Sequence, residues 1–251
     1  MTRLQPSVSL GLGQGWQVFA QVPIDAKFLT IDYTTHDGEA YDPPYGNIHH
    51  RDETLFGLGD GRIEFQYFES IGSEWTAGAG FGVTVPLGRI EDDPYELAAE
   101  SESHQHMQMG NGTVDPVFRA SVIWSGHQWG ALFMADGRLP LIHNAKGYRP
   151  SSSIQVSTGP TYRLNTKLML TSNIALTRES QAEWSGEPDP MSGRTAITAG
   201  AGIIYRFTPM LATMLQGRTT LGQWSEEALI VQPFVGSIGL SWTPSGKGKA
   251  H

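Results

Sequence analysis

Hydrophobic and polar residues alternate with a period of two through successive segments of about ten residues, and no other feature of the chain limits its fold so strongly. In Arg62–Tyr67, Ile63, Phe65 and Tyr67 point one way while Arg62, Glu64 and Gln66 point the other. Trp75, Ala77, Ala79, Phe81, Val83 and Val85 oppose Thr76, Gly78, Gly80, Gly82 and Thr84 in the next segment. The same reading sets Ile197, Ala199, Ala201, Ile203 and Tyr205 against Thr198, Gly200, Gly202 and Arg206. It also sets Phe234, Gly236, Ile238, Leu240 and Trp242 against Ser237, Gly239 and Ser241. No segment holds a helical period, so the expected class is all-β.

Connections alternate between short and long. Short turns fall at 13–15, 71–74, 126–128, 165–167 and 208–210; long polar loops fall near 35–57, 90–112, 142–151, 180–193 and 222–229. Alternating strands joined in this way form an up-and-down antiparallel meander. A bacterial outer-membrane barrel has this layout, with turns on the periplasmic side and long loops outside. Such a barrel buries its backbone polar groups in the ladder and turns its apolar face to lipid. A soluble barrel would scatter charge, Lys especially, over its outer strands. Here Lys is scarce in the strands, charged residues are only 17% of the chain, and Trp16, Trp75, Trp124, Trp129 and Trp242 sit near strand ends, mostly beside short turns. That placement suits an aromatic girdle at a membrane interface; the alternative is a set of core tryptophans in a soluble sandwich.

Counting segments gives about eleven strands, from near Gln5 to near Trp242, within a single domain of residues 1–244 followed by a polar tail at 245–251. Single-chain bacterial barrels have even strand numbers, so a twelfth strand upstream of Met1 is expected in the native protein. No leader pattern opens the sequence, and an exported protein would have had its leader removed. The formal charge is −8, from 17 Lys+Arg and 25 Asp+Glu, which argues against a nucleic-acid partner. There is no cysteine, which excludes disulfides, thiolate metal sites and cysteine nucleophiles.

Three short stretches carry a resemblance: Gly57-Leu58-Gly59-Asp60 opening a strand, Val85-Pro86-Leu87-Gly88 closing one before an acidic loop, and Met107-Gln108-Met109-Gly110-Asn111-Gly112-Thr113-Val114-Asp115-Pro116 leading back into the wall. In this order they resemble the outer-membrane barrel family named for the MetA pathway of phenol degradation, over roughly residues 1–244. The resemblance implies a channel-like or transporter-like outer-membrane protein, and the phenol label is not read as an enzymatic activity. The chain departs from such barrels in ending on a polar tail after Trp242 instead of a terminal aromatic residue.

Two constellations are candidates for function. If the apolar face meets lipid, then Arg62, Glu64, Arg119, Asp136, Arg138, Arg163, Arg206 and Arg218 line the lumen, while Ile63, Phe65, Phe81, Val83, Ile203 and Leu240 face lipid. Six arginines against two acids would make a cationic constriction for anionic or polar solutes; the alternative is an internal ladder in which these charges satisfy one another. The second constellation is the loop with His104, His106, Met107 and Met109, joined by His49 and His50. Its imidazole and thioether groups suit copper or another divalent metal, and its alternative is a solvated acidic loop. His127 and His143 have no evident Ser-His-acid grouping, and Gly11-Leu12-Gly13-Gln14-Gly15 lacks the helix of a nucleotide site, so no catalytic residue is expected. The sequence therefore reads as a bacterial outer-membrane channel in contact with lipid and small solutes. The competing reading is a scaffold barrel that holds a protein partner through loops such as Tyr41-Asp42-Pro43-Pro44-Tyr45.

Overall fold

The computed structural model describes residues 1–30, 32–42, 52–104, 107–225 and 233–244. In chain order the strands begin with β1 (Thr2–Leu4), β2 (Ser7–Gly13), β3 (Trp16–Gln21), β4 (Ile24–Leu29), β5 (Glu53–Leu58), β6 (Gly61–Ile71) and β7 (Trp75–Val85). A short helix α1 (Pro94–Ala99) precedes β8 (Pro116–Ser125), β9 (Trp129–Arg138), β10 (Tyr148–Arg149), β11 (Ser153–Arg163) and β12 (Leu168–Glu179). The chain continues through β13 (Glu183–Trp184), β14 (Glu187–Pro188), β15 (Arg194–Arg206), β16 (Leu211–Trp224) and β17 (Phe234–Trp242).

Eleven of these strands make one antiparallel sheet in the order β17-β16-β15-β12-β11-β9-β8-β7-β6-β3-β2, the number and meander that the alternation predicts. Most run 9–14 residues. That matches the roughly 9–11 residues with which a tilted strand crosses a bilayer core. The outer edges of β2 and β17 have no strand partner among the described residues, and no parallel pairing joins Val8 to Ile238.

The register fixes two faces. Pairs such as Phe65↔Phe81, Phe81↔Phe118, Ile174↔Ala199 and Leu215↔Ile238 put apolar side chains on the outer wall, where Ile238 is 82% exposed. Pairs such as Arg119↔Asp136, Gln155↔Thr177 and Gln66↔Gly80 put polar groups on the inner wall, where Glu64 and Gln66 are buried. At the short-turn end the outer face carries a ring of aromatic contacts: Trp16 with Tyr67 at 5.0 Å, Trp75 with Trp124 at 6.4 Å and Trp129 with Tyr162 at 4.7 Å. Tilted rings in contact, apolar on one side and wet on the other, are what a membrane interface favours.

Three features depart from the sequence reading, one of them a small sheet in the order β10-β13-β14 inside the predicted loops 142–151 and 180–193. The predicted loop at 35–57 ends in β5, which together with β1 and β4 forms a three-stranded extension in the order β1-β4-β5. These strands continue β2, β3 and β6 across breaks at Pro6, Pro23 and Gly59-Asp60. Pro6 and Pro23 have no N–H to give the ladder there. The bonds from Val22 N–H to Pro6 O (3.1 Å) and from Gly59 N–H to Pro23 O (2.9 Å) carry the pairing across the break. The expectation of no helix also fails at α1, whose Asp93 caps the N–H groups of Tyr95 and Glu96 and whose Pro94 occupies the first turn. Six residues are too few to display a helical period.

Candidate functional site: the lumen and its mouth

Charge on the inner wall is concentrated on β6, β8 and β9. Arg62 Nη1 and Nη2 donate to the two oxygens of Asp136 at 3.0 and 2.8 Å. Arg119 donates to Asp136 Oδ2 from Nε and Nη2 at 3.1 and 3.0 Å. Glu64 has no exposed surface and stands 2.6 Å from Arg62 Nε, in contact without hydrogen-bond alignment, and 3.6 Å from Arg119 Nη2. Gln66 Nε2 donates to Glu64 Oε2 at 3.0 Å, and Gln17 Nε2 donates to Gln66 Oε1 at 2.6 Å. The Arg119 guanidinium lies 5.8 Å from the centroid of Phe19, which shares the inner face with Glu64. One wall of the lumen is thus filled by a compensated network.

The sequence placed Arg138, Arg163, Arg206 and Arg218 beside these residues as lumen-lining. The register puts all four on the inner face but at different heights. Arg138 donates to Ser151 O at 3.1 Å at the long-loop end, and Arg163 donates to His127 O at 3.1 Å at the short-turn end. Arg206 and Arg218 make no ion pair among the described residues, and both are exposed. Six arginines therefore do not converge on one constriction, because Arg163 and Arg206 stand at the short-turn end, and two of the others, Arg62 and Arg119, are matched by Glu64 and Asp136. Sequence reasoning missed a second pair, Arg194 Nε with Glu179 Oε2 at 2.7 Å, which joins β15 to β12 on the same face. Their placement could have suggested it, since Glu179 closes one strand and Arg194 opens the next wall strand across the loop at 180–193.

The opposite half of the lumen is different. Ser153, Gln155, Thr171, Asn173, Thr177 and Thr198 face inward from β11, β12 and β15. A cavity of about 300 Å³ lies where Ser153, Gln155 and Thr177 meet Arg119, Met134, Asp136 and Glu179.

At the long-loop end the segment 88–112 is tied down on several sides. Asp60 accepts from Gly88 N–H at 3.2 Å and from Asn111 N–H at 2.6 Å, so one carboxylate holds both ends of the segment. Gly88 and Gly110 pack backbone to backbone there; a Cβ on Gly88 would stand 2.5 Å from Gly110 Cα. Lys27 Nζ donates to Gln108 O at 2.7 Å, Asn144 Nδ2 to Asn111 O at 2.9 Å and Tyr95 Oη to Asp189 Oδ1 at 2.7 Å, and Lys146 pairs with Asp92. Below them Thr84 Oγ1 accepts from Asp115 N–H and donates to Thr113 O. Burial raises the Asp60 carboxyl against the pull of its two N–H donors, lowers the Lys27 ammonium against the attraction of Asp25, and pushes Tyr148 up to about 12. The three stretches that carry the family resemblance thus meet in one junction.

Asp60→Ala is expected to release this segment, because a hydrogen bond to a charged acceptor contributes about 1.5–3 kcal/mol. Limited proteolysis within 88–112 and hydrogen exchange at Gly88 and Asn111 should both rise in the variant while the wall strands stay protected. Unchanged protection would contradict the assignment.

Of the metal candidates, His49, His50 and His106 lie outside the described residues. His104 is buried with Nδ1 3.0 Å from Glu102 O, and Met109 is buried near Gly57. No group of three or more potential ligands gathers among the described residues. Pro43, Pro44 and Tyr45 of the suggested partner loop also lie outside them. His143 contacts Glu183 Oε2 at 3.2 Å in the long loops, whereas His127 sits at the opposite end of β9.

No protein-family model and no curated protein matches the chain. Among solved structures, an outer-membrane channel from Pseudomonas putida F1 is similar with a TM-score of 0.66 at 12% identity, over 95% of this chain and 82% of the channel. The NanC porin is similar with a TM-score of 0.52 at 10% identity, over 96% of this chain and 93% of the porin. The fold is that of an outer-membrane β-barrel. At these identities the likeness concerns the fold, and the resemblance to the MetA-pathway family has no family match behind it.

Proposed function

We propose that the chain is a channel of the bacterial outer membrane that lets small solutes pass by passive diffusion. The observation that carries this reading is the division of the lumen. Ion-paired side chains fill the β6, β8 and β9 wall, while short hydroxyl, amide and glycine positions face inward from β11, β12, β15 and β16, a cavity of about 300 Å³ lies between β9 and β12, and we read this side as a polar path. A barrel between the filled eight-stranded and open sixteen-stranded sizes is expected to conduct weakly through such a path. The outer wall, apolar along the strands and aromatic at the short-turn end, suits placement in lipid. We read the protein as non-enzymatic, with selection by width and lumen polarity and no energy source of its own.

Planar bilayers test this directly. Purified protein is expected to insert and give discrete, reproducible current steps. A barrel that inserts, stays sealed and co-purifies with another protein would contradict the channel and favour the scaffold reading.

A further inference from the structure

Resting on the channel reading, we infer that the lumen holds a binding subsite for a neutral polyhydroxylated solute of about monosaccharide size, built on β9, β11 and β12. The cavity of about 300 Å³ there is at the small end of the range for small-molecule sites.

The chemistry of its lining decides among solutes. Its charged groups are Arg119, Asp136 and Glu179, and each is already in an ion pair, Arg119 with Asp136, Asp136 also with Arg62 behind it, and Glu179 with Arg194. A charged solute would have to break one of these pairs, so charge offers it no net gain. An aromatic solute finds no ring to stack on, because the only large apolar side chain in the lining is Met134. What remains are hydroxyl and amide groups.

These groups form a small lattice. Gln155 is the cross-strand neighbour of Thr177 on one side and of Asp136 on the other, and Ser153 faces Glu179 one rung along. Cross-strand neighbours stand about 4.5–5.5 Å apart and rungs on one face about 7 Å apart, spacings that several hydroxyls of one ring-shaped polyol can bridge together. Thr177 Oγ1 donates to Gln155 Oε1 at 3.2 Å, which fixes the amide and leaves its N–H groups to donate to a solute. Thr177 Oγ1 keeps its lone pairs to accept. Paired donors and acceptors of this kind match a hydroxyl, which is both.

Glucose is the probe, with gluconate as its charged counterpart and phenol as the aromatic one. Saturation-transfer NMR on the full chain in micelles reads binding without requiring conduction, and single-channel current in planar bilayers with glucose on one side reads occupancy of the path. The native protein is expected to bind glucose saturably and to bind gluconate and phenol about tenfold more weakly. Glucose is expected to reduce the current, and the volume-conserving double variant Gln155→Leu, Thr177→Val to weaken its binding about tenfold, with circular dichroism verifying the fold. Absence of saturable glucose binding, equal or tighter binding of gluconate or phenol, or an unchanged double variant would each overturn the subsite. Current without glucose binding contradicts the subsite alone, whereas glucose binding without any current supports the subsite and contradicts the channel.

Discussion

Glu64→Ala is expected to destabilise the folded barrel by about 3–5 kcal/mol, the cost of removing one partner from a buried ionic network. Glu64 has no exposed surface and stands against both Arg62 and Arg119. Without it the two guanidiniums share the single carboxylate of Asp136 in a space from which water is largely excluded. Gln66 would also lose the oxygen to which its amide donates. Urea titration of the protein refolded into vesicles measures the change, and Glu64→Gln, which keeps the volume and an oxygen acceptor, should lie between the two. A change below about 0.5 kcal/mol, the usual range for a surface site, would mean that the network does not hold the wall together.

The second large effect separates the two faces with adjacent residues. Ile174→Arg should cost about 2–4 kcal/mol, because it places a guanidinium at the middle of β12 on the lipid side. Ile174 is 49% exposed on the outer wall, opposite Ala199. Asn173→Arg, one residue away and facing inward between β11 and β15, should change stability little and narrow the path instead. The same urea titration compares them. Equal costs would contradict the assignment of faces.

The wall was legible because a strand displays both its faces in every four residues. Ile63, Phe65 and Tyr67 against Arg62, Glu64 and Gln66 fix orientation without any knowledge of partners, and glycines opposite aromatics mark where strands approach closely. Gly137 is an example, since it pairs with Phe118 and a Cβ there would fall 2.1 Å from that ring. The extension was not legible, because β3 runs into β4 through Pro23 with no turn between them, and proline inside an alternating run reads as the end of a strand. The sequence offered a ladder of mutually satisfied charges only as the alternative to a cationic constriction, and which residues pair was not legible for another reason. Arg62 and Asp136 are 74 residues apart and meet across intervening strands, so the inventory of lumen charges came from the alternation while their pairing depended on the curvature of the sheet. For the same reason Asp60, Gly88, Gly110 and Asn111 stood in the sequence as fragments of a resemblance, and only the folded chain brings them into one junction.

On the proposed function, solutes pass along the inner face of this wall. The chain has no cysteine, so single cysteines introduced one at a time report without background. Thr177→Cys and Thr198→Cys lie on the inner face, and Ile174→Cys and Leu176→Cys on the outer. With each variant in a planar bilayer, a water-soluble thiosulfonate should lower the current through the first two and leave the second two unchanged. Loss of current at the outer positions, or no effect at the inner ones, would contradict the account.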